Sequence, residues 1–313
     1  MVDKKILKKK LKALVFGGSG FLGLHLSNVL FDRGYTVTIA DLKKPISIKK
    51  GIKFIKLDIT KKNKIQEIIK KNDIVYNFAA IADIQESYDN PIKTFQINIM
   101  GSAFILKSCI EAKVKRYILA SSIYADSSQG GFYRVSKQSS ELMTSEFGKV
   151  YNLSFTILRF GSIYGPGSDL KNGLLKIVYD AISKKKLIYR GTDKALRSYI
   201  HVEDAAKASV DILQKKFNKK VIIIKGKKSI KIKNLLLIIK KILKIKSKLI
   251  FLNKTQKGHY DKNPKPYKKL KTSIYFRKKN LELTNGLIQL IKIVRSKKKI
   301  VISEQAKNYF KKK

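Results

Sequence analysis

Short apolar runs alternate with stretches of helical spacing along most of the chain, and this alternation sets the first expectation for its architecture. Residues 13–16 (Ala-Leu-Val-Phe) form a continuous apolar run, the pattern of a strand buried on both faces. A glycine-rich turn follows at 17–23, and apolar positions then recur at helical spacing over 21–31. Arg33-Gly34 ends that pattern, with the glycine in the usual post-helix position. Further strands are predicted at 36–40, 53–57, 74–78, 116–120 and 154–160, with helices between them at 65–71, 92–112 and 132–147. This order predicts an α/β fold built on a doubly wound, Rossmann-type parallel sheet.

Past Gly165-Pro166 the pattern loosens. A helix is predicted at 174–183, a strand running into a helix at 199–213, a strand at 221–224 and a closing helix at 283–294. A further helix at 234–243 gathers Leu235, Ile238, Ile239 and Ile242 on one stripe, which marks it as a core-facing surface helix. These elements predict a smaller C-terminal α/β portion. The irregular segments 167–197 and 251–271 are its expected pocket-forming parts, and 311–313 is expected to fray.

Composition adjusts this picture only slightly. A chain of 313 residues with 44% hydrophobic positions can enclose a substantial core. The single cysteine, Cys109, rules out an internal disulfide framework, fits a reducing compartment and falls inside a predicted helix, where packing is its expected role. The basic start is followed by an apolar run too short for a signal-peptide core, and no uncharged stretch is long enough to span a bilayer. A cytoplasmic location is therefore expected.

The formal charge is +47, yet only 8 of the 69 basic residues are arginine, the side chain that reads bases and grips phosphates with two bonds. The lysines are dispersed, which points to solvated faces rather than a specific nucleic-acid surface. Anionic nucleotide ligands would nevertheless be attracted. His25, His201 and His259 lie far apart without a cysteine or carboxylate at ligand spacing, so no metal site is expected.

The turn Gly17-Gly18-Ser19-Gly20-Phe21-Leu22-Gly23 carries the first recognisable chemistry, because it follows a predicted strand and opens a predicted helix. Gly17 suits a sharp turn, Gly20 a close backbone approach to a pyrophosphate, and Gly23 tight packing of helix on sheet. The helix that begins with Phe21 and Leu22 offers free amides and the positive end of its dipole to phosphates. Asp41, 18 residues beyond Gly23, can accept hydrogen bonds from ribose hydroxyls and would repel a 2′-phosphate, which favours NAD. Lys43 and Lys44 beside it can partly offset that repulsion. Asp58, after the third strand, suits either the adenine amino group or the cap of the next helix.

Tyr133 and Lys137 stand four apart on a predicted helix and so emerge on one face. A free phenol, with a pKa near ~10, needs roughly 4 kcal/mol of differential stabilisation to ionise near neutrality, which an adjacent ammonium and a positive nicotinamide ring are expected to supply. Ser121 or Ser122, at the end of the preceding strand, can orient a substrate alcohol.

These stretches together resemble the extended short-chain dehydrogenases/reductases, the nucleotide-sugar epimerase/dehydratase family. The resemblance extends through Asn77-Phe78-Ala79-Ala80, residues 87–91 and 98–101, Ala120-Ser121-Ser122, residues 133–137, 158–167 and 197–204. It implies Ser122 as hydroxyl helper, Tyr133 as general acid/base and Lys137 as its partner and a ribose ligand. For the cofactor, NAD, it implies contacts from Asp58, Ile59, Phe78, Ala79, Ala80 and Asn98 as well as the glycine turn. For a nucleotide-diphosphate sugar it implies Ser162 and Arg197. The implied division is an NAD-binding domain at 1–166, to which 197–215 returns, and a mainly substrate-binding domain at 167–313, in a homodimer.

Two departures from the family pattern bear on substrate contacts: Asp126-Ser127 stands where many members have Tyr-Gly, and Ser162 where many have asparagine. Relatives that dehydrate carry Asp-Glu directly after the catalytic hydroxyl, and those that decarboxylate carry a glutamate there. Ile123 and Tyr124 occupy those positions here, so the expected reaction is epimerisation at C4, of the UDP-glucose 4-epimerase type, through transient oxidation to a keto-sugar. A reductase or dehydrogenase of a nucleotide sugar is the alternative, followed by a non-catalytic NAD-binding protein.

Overall fold

The alternating pattern folds into strands that lie side by side, as their two-sided apolar character requires. The computed structural model describes residues 10–45, 47–253 and 272–296. The expectations for the basic start before Lys10, for His259, for most of the 251–271 segment and for the 311–313 tail fall outside them. The first half runs β1 (Lys12–Phe16), α1 (Phe21–Asp32), β2 (Thr36–Asp41), β3 (Lys53–Lys56), α2 (Lys62–Ile69), β4 (Ile74–Asn77), α3 (Ile84–Asp89) and α4 (Pro91–Phe95). A π-helical turn, Gln96–Gly101, leads into α5 (Ser102–Glu111), then come β5 (Arg116–Ser122), a 3-10 turn (Ile123–Asp126), α6 (Gly131–Val150) and β6 (Phe155–Phe160).

Short strands dominate the second half: β7 (Ser162–Tyr164), α7 (Gly173–Lys184), β8 (Leu187–Tyr189), β9 (Leu196–Arg197), β10 (Tyr199–His201) and α8 (Val202–Asp211). The described chain ends with β11 (Lys220–Ile224), β12 (Ile230–Lys231), α9 (Ile232–Leu243), β13 (Leu249–Phe251), β14 (Thr272–Ile274) and α10 (Leu283–Ser296). Eight strands form one parallel sheet in the order β14-β11-β6-β5-β4-β1-β2-β3. Its switch point lies beside β1, which pairs with β2 on one side and β4 on the other, so Val15 faces both Ile39 and Tyr76. A crevice at the carboxyl ends of strands opens at such a point.

Alternation along each strand divides the sheet's core in two. Val15, Ile39 and Ile118 pack with Leu26 and Leu30 of α1 and Ala205 of α8, while Leu14, Phe16 and Leu119 pack with Ile65 of α2 and Ile105 and Cys109 of α5. Each valine, leucine, isoleucine or phenylalanine among them, fully enclosed, stabilises the fold by roughly 1.5–3 kcal/mol. Cys109 is completely buried, and burial pushes its thiol far above the ordinary range. A third cluster joins α7, α9 and α10 through Leu175, Val178, Leu235, Ile239 and Leu290.

The single helix expected at 92–112 is divided. Pro91 opens α4 at a first-turn position that lacks an intrahelical donor role, and the chain then widens into the π turn. There Gly101 presses on Ile59, so close that a Cβ would lie 2.7 Å from Ile59 Cδ1. Periodicity alone does not distinguish this widening from an uninterrupted helix.

Candidate active site

The glycine turn is a cradle with its floor formed by neighbouring backbone. Gly17 adopts φ +74°, and a Cβ there would lie 2.5 Å from the Ala79 amide nitrogen. A Cβ on Gly23 would run into the Gly17 carbonyl, so α1 sits directly on the turn. Gly20, by contrast, is approached no closer than 3.2 Å. Gly20 caps α1 without a side-chain bond and no acid occupies the first turn. The leading amides, those of Phe21 and Leu22, have no acceptor within the helix, as at any helix start, which suits an anion.

Asp41 accepts from the Ser19 amide (3.0 Å) and the Leu42 amide (2.7 Å), which locks its carboxylate at the end of β2 facing the turn. Of the two readings of Asp58, capping is excluded: it accepts from the Thr60 amide and hydroxyl at 2.9 and 2.8 Å, while Lys61 occupies the cap position of α2. A glycine cradle, an open helix terminus and a fixed carboxylate together fit a dinucleotide.

The loop after β4 forms one wall. Phe78 packs edge-on to Tyr76 and Phe160 at 5.8 and 5.9 Å, and Ala79 and Ala80 follow, half-buried. Ile59 is buried against Gly101, so what it offers a ligand is backbone. Asn98, turned inward by the π turn, accepts from the Ile81 amide (2.8 Å) and donates to the Ile81 carbonyl and to Ser136 Oγ. The sequence marked Asn98 as a cofactor contact; its side chain clamps the wall loop to α6.

At the end of β5 the reactive groups meet. The Tyr133 phenol is hydrogen-bonded to the Ser122 side chain. Lys137, four residues along α6, donates to the Ala120 carbonyl at 2.9 Å, and its Nζ lies 5.8 Å from the Tyr133 ring centroid. All three are buried. Of the two candidate serines Ser122 is thus the one beside the phenol, while Ser121 donates to Glu141 Oε1 at 2.5 Å.

The expected lowering of the phenol pKa does not appear in the chain by itself. Burial pushes Tyr133 up to about 12, against which the Ser122 hydrogen bond pulls down. The Lys137 ammonium, directed at a carbonyl, does not by itself outweigh that burial. Burial likewise lowers Lys137 to about 8, opposed by the charge of Glu141.

A buried ionic cluster lies behind these groups. Arg159 on β6 binds Glu141 through Nε and NH2 at 2.8 and 2.6 Å and Asp126 through NH1 at 2.6 Å. Asp126-Ser127 was expected among the substrate contacts; instead Asp126 is enclosed against Arg159, and Ser127 Oγ accepts from the Gln129 amide inside the same turn. Glu141 escaped notice in the sequence, although it stands four residues beyond Lys137 on the same helical face.

Ser162 and Arg197 are brought to one region, because β7 pairs with β10 and sets Ser162 opposite Tyr199. Both are half-buried, and Arg197 NH1 donates to the Leu196 carbonyl. His201 is buried edge-on to Tyr164, with centroids 5.4 Å apart. Among the described residues no group of His, Cys, Asp or Glu is placed to hold a metal, and no helix is long and apolar enough to cross a membrane.

Residues 13–224 match the model of a family described as NAD dependent epimerase/dehydratase. The chain is 27% identical over 242 residues to a UDP-N-acetyl-alpha-D-glucosaminuronate decarboxylase of Bacillus cytotoxicus, spanning 68% of this chain and 74% of that protein. It is also 27% identical over 218 residues to a putative UDP-glucose 4-epimerase of Methanocaldococcus jannaschii, spanning 63% and 72%. In three dimensions it is similar to a UDP-glucose 4-epimerase of Thermotoga maritima solved with UDP-glucose, with a TM-score of 0.79, 22% identity, and coverage of 92% of this chain and 100% of that one.

Proposed function

Because the chain belongs to the NAD-dependent epimerase/dehydratase family, with NAD as its cofactor, we propose that it is an epimerase inverting C4 of a nucleotide-diphosphate sugar. NAD, when bound, supplies a reversible two-electron acceptor for the sugar carbon. Gly17, Gly20, Phe21 and Leu22 would hold its pyrophosphate, Asp41 its ribose, and Asp58, Ile59 and residues 78–80 the surrounding wall. Tyr133 removes the proton of the sugar hydroxyl and returns it, Ser122 orients that hydroxyl, and Lys137 favours the phenolate.

The observation that carries this reading is that, among the described residues, the carboxylates near Ser122 and Tyr133 are already engaged, which leaves Tyr133 to move the proton. Ile123 follows Ser122 and packs against Ile223, and Tyr124 comes next. Asp126, the first carboxylate of the turn, is bound to buried Arg159, as is Glu141. On the facing loop Asp83 caps α3 and Glu86 pairs with Lys171 at 2.7 Å. Withdrawing and restoring a single proton needs Tyr133 alone, whereas eliminating water requires a further acid and base.

The third apolar cluster, with α7, α9 and α10, is assigned to the substrate-binding part, and Ser162 and Arg197 to contacts with the sugar nucleotide. Homodimerisation is supported by apolar side chains left exposed on adjoining helical elements: Ile92 on α4, Met100 on the π turn, and Phe132, Val135 and Leu142 on α6.

Incubation of the purified protein with UDP-glucose and NMR analysis of the products tests the assignment. UDP-galactose should accumulate to equilibrium without net formation of reduced cofactor, and Tyr133→Phe should abolish most turnover. Stoichiometric oxidation of added NADH by a 4-keto sugar nucleotide, with no interconversion of UDP-glucose, would instead make it a reductase.

A further inference from the structure

Four ionisable side chains, nearly closed off from solvent, gather behind the reactive hydroxyls. Arg159 spans Glu141 on α6 and Asp126 on the 3-10 turn, with all three side chains only 2–3% exposed. Lys137, also buried, lies one helical turn before Glu141 and is influenced by its charge. Two carboxylates against one guanidinium leave a negative surplus, which a charged Lys137 cancels. A neutral Lys137 would leave that surplus where little water screens it.

We propose that Glu141 and Asp126 are positioning residues that keep Lys137 in its ammonium form during turnover. The inference rests on the reading of Tyr133 and Lys137 as the reactive pair and deepens it, since it assigns control of their charge state to two carboxylates held on Arg159. Ser121, hydrogen-bonded to Glu141, ties the same cluster to the strand end that carries Ser122.

The surroundings of Lys137 leave few other groups for this role. Its own helix carries Tyr133, whose ring centroid lies 5.8 Å from Nζ, and Glu141; β5 carries the Ala120 carbonyl that accepts from it, with Ser121 and Ser122 next along the strand; the 3-10 turn carries Asp126 and β6 Arg159, both bound in the Glu141 cluster. The π turn contributes the uncharged Asn98. On the remaining elements packed against α6, Asp89, Lys93, Lys107 and Glu111 are exposed, and Glu86 is half-exposed and paired with Lys171.

Without the ammonium, the phenol loses the cation that favours its ionised form. Glu141→Gln and Asp126→Asn keep shape and remove charge, and the amide oxygen of either can still accept from Arg159. Two measurements test the idea on the NAD-loaded protein: kcat and KM for UDP-glucose across pH, and competitive acetylation of Lys137 across pH quantified by mass spectrometry, with exposed lysines as internal standards.

Glu141→Gln should move both the alkaline limb of kcat and the acetylation midpoint about one pH unit lower. KM should change little, and Glu141→Asp should restore most of the difference. Asp126→Asn should shift both in the same direction by less, and it decides the matter if Glu141→Gln does not fold. An unmoved Lys137 midpoint in a folded variant overturns the inference. Failure of the epimerase reading is distinguishable, because the parent protein would then show no turnover while the midpoint still shifted.

Discussion

Lys137 occupies a position that opposes its own charge, and the cost is measurable. Burial holds it at about 8, against 10.5 for an unhindered lysine. At about 1.4 kcal/mol per pH unit, the charged form costs the folded state about 3 kcal/mol wherever Lys137 is protonated both folded and unfolded, that is, below pH 8. The cost fades as pH climbs from 8 towards 10.5, because the folded protein releases this proton first. Lys137→Met keeps the length of the side chain and removes the charge. After about 1 kcal/mol is allowed for the lost hydrogen bond to the Ala120 carbonyl, the variant should be about 2 kcal/mol more stable than the parent at pH 7. For a chain of this size that is a rise of about 3 °C in Tm. Urea unfolding at pH 7 and pH 10 provides the assay: the advantage should be present at pH 7 and gone at pH 10, with turnover lost throughout. A variant less stable than the parent at pH 7, or a difference indifferent to pH, would refute the account of Lys137 as a strained cation.

Gly23→Ala should force α1 off the turn, lowering stability by about 2 kcal/mol and weakening NAD binding at least tenfold by calorimetry, whereas Gly173→Ala, with nothing within 4 Å, should leave both intact. Asp41→Asn keeps an acceptor for the Ser19 amide but removes the charge that repels a 2′-phosphate, so the ratio of NADP to NAD affinity should rise about tenfold, or about 1.4 kcal/mol. Arg159→Met strands two buried carboxylates and should cost about 3–5 kcal/mol in denaturant unfolding. Leu142→Glu should convert the proposed dimer to monomers by light scattering while shifting folding stability by no more than about 0.5 kcal/mol.

The features legible in the sequence are those whose physics is local. Gly17, Gly20 and Gly23 stand out because a turn and a helix start must be built within seven residues, and Tyr133 and Lys137 because helical spacing alone puts them on one face. The strands at 13–16 and 74–78 are visible for a related reason: a strand covered on both faces has no polar alternation. Less was visible where tertiary contacts decide. The π turn depends on Gly101 meeting Ile59, a residue remote in sequence. Asp58 was ambiguous until its bonds to Thr60, with Lys61 at the cap, removed the capping reading, and Thr272–Ile274 is too short to declare itself as a strand of the main sheet. The cluster of Asp126, Glu141 and Arg159 was hidden because each member, taken singly, has the composition of a solvated surface position.

That cluster also explains why a chain so rich in lysine retains any arginine. An ammonium is a compact point charge, adequate for a single carboxylate in water, and the exposed pairs Lys49–Asp32, Lys115–Asp73 and Lys149–Glu146 are of this kind. A planar guanidinium can hold several acceptors in fixed directions at once. Arg159 holds two carboxylates, Arg277 reaches Asp204, Asp211 and the Lys279 carbonyl, and Arg116 binds the Leu213 and Gln214 carbonyls. Replacing any of these with lysine would leave acceptors unmatched in enclosed surroundings, a penalty absent at the surface. The composition is therefore constrained by geometry where groups are buried and free to drift where water solvates the charge. The +47 charge accordingly describes the solvated shell, while the chemistry depends on a small interior set in which each cation has assigned partners.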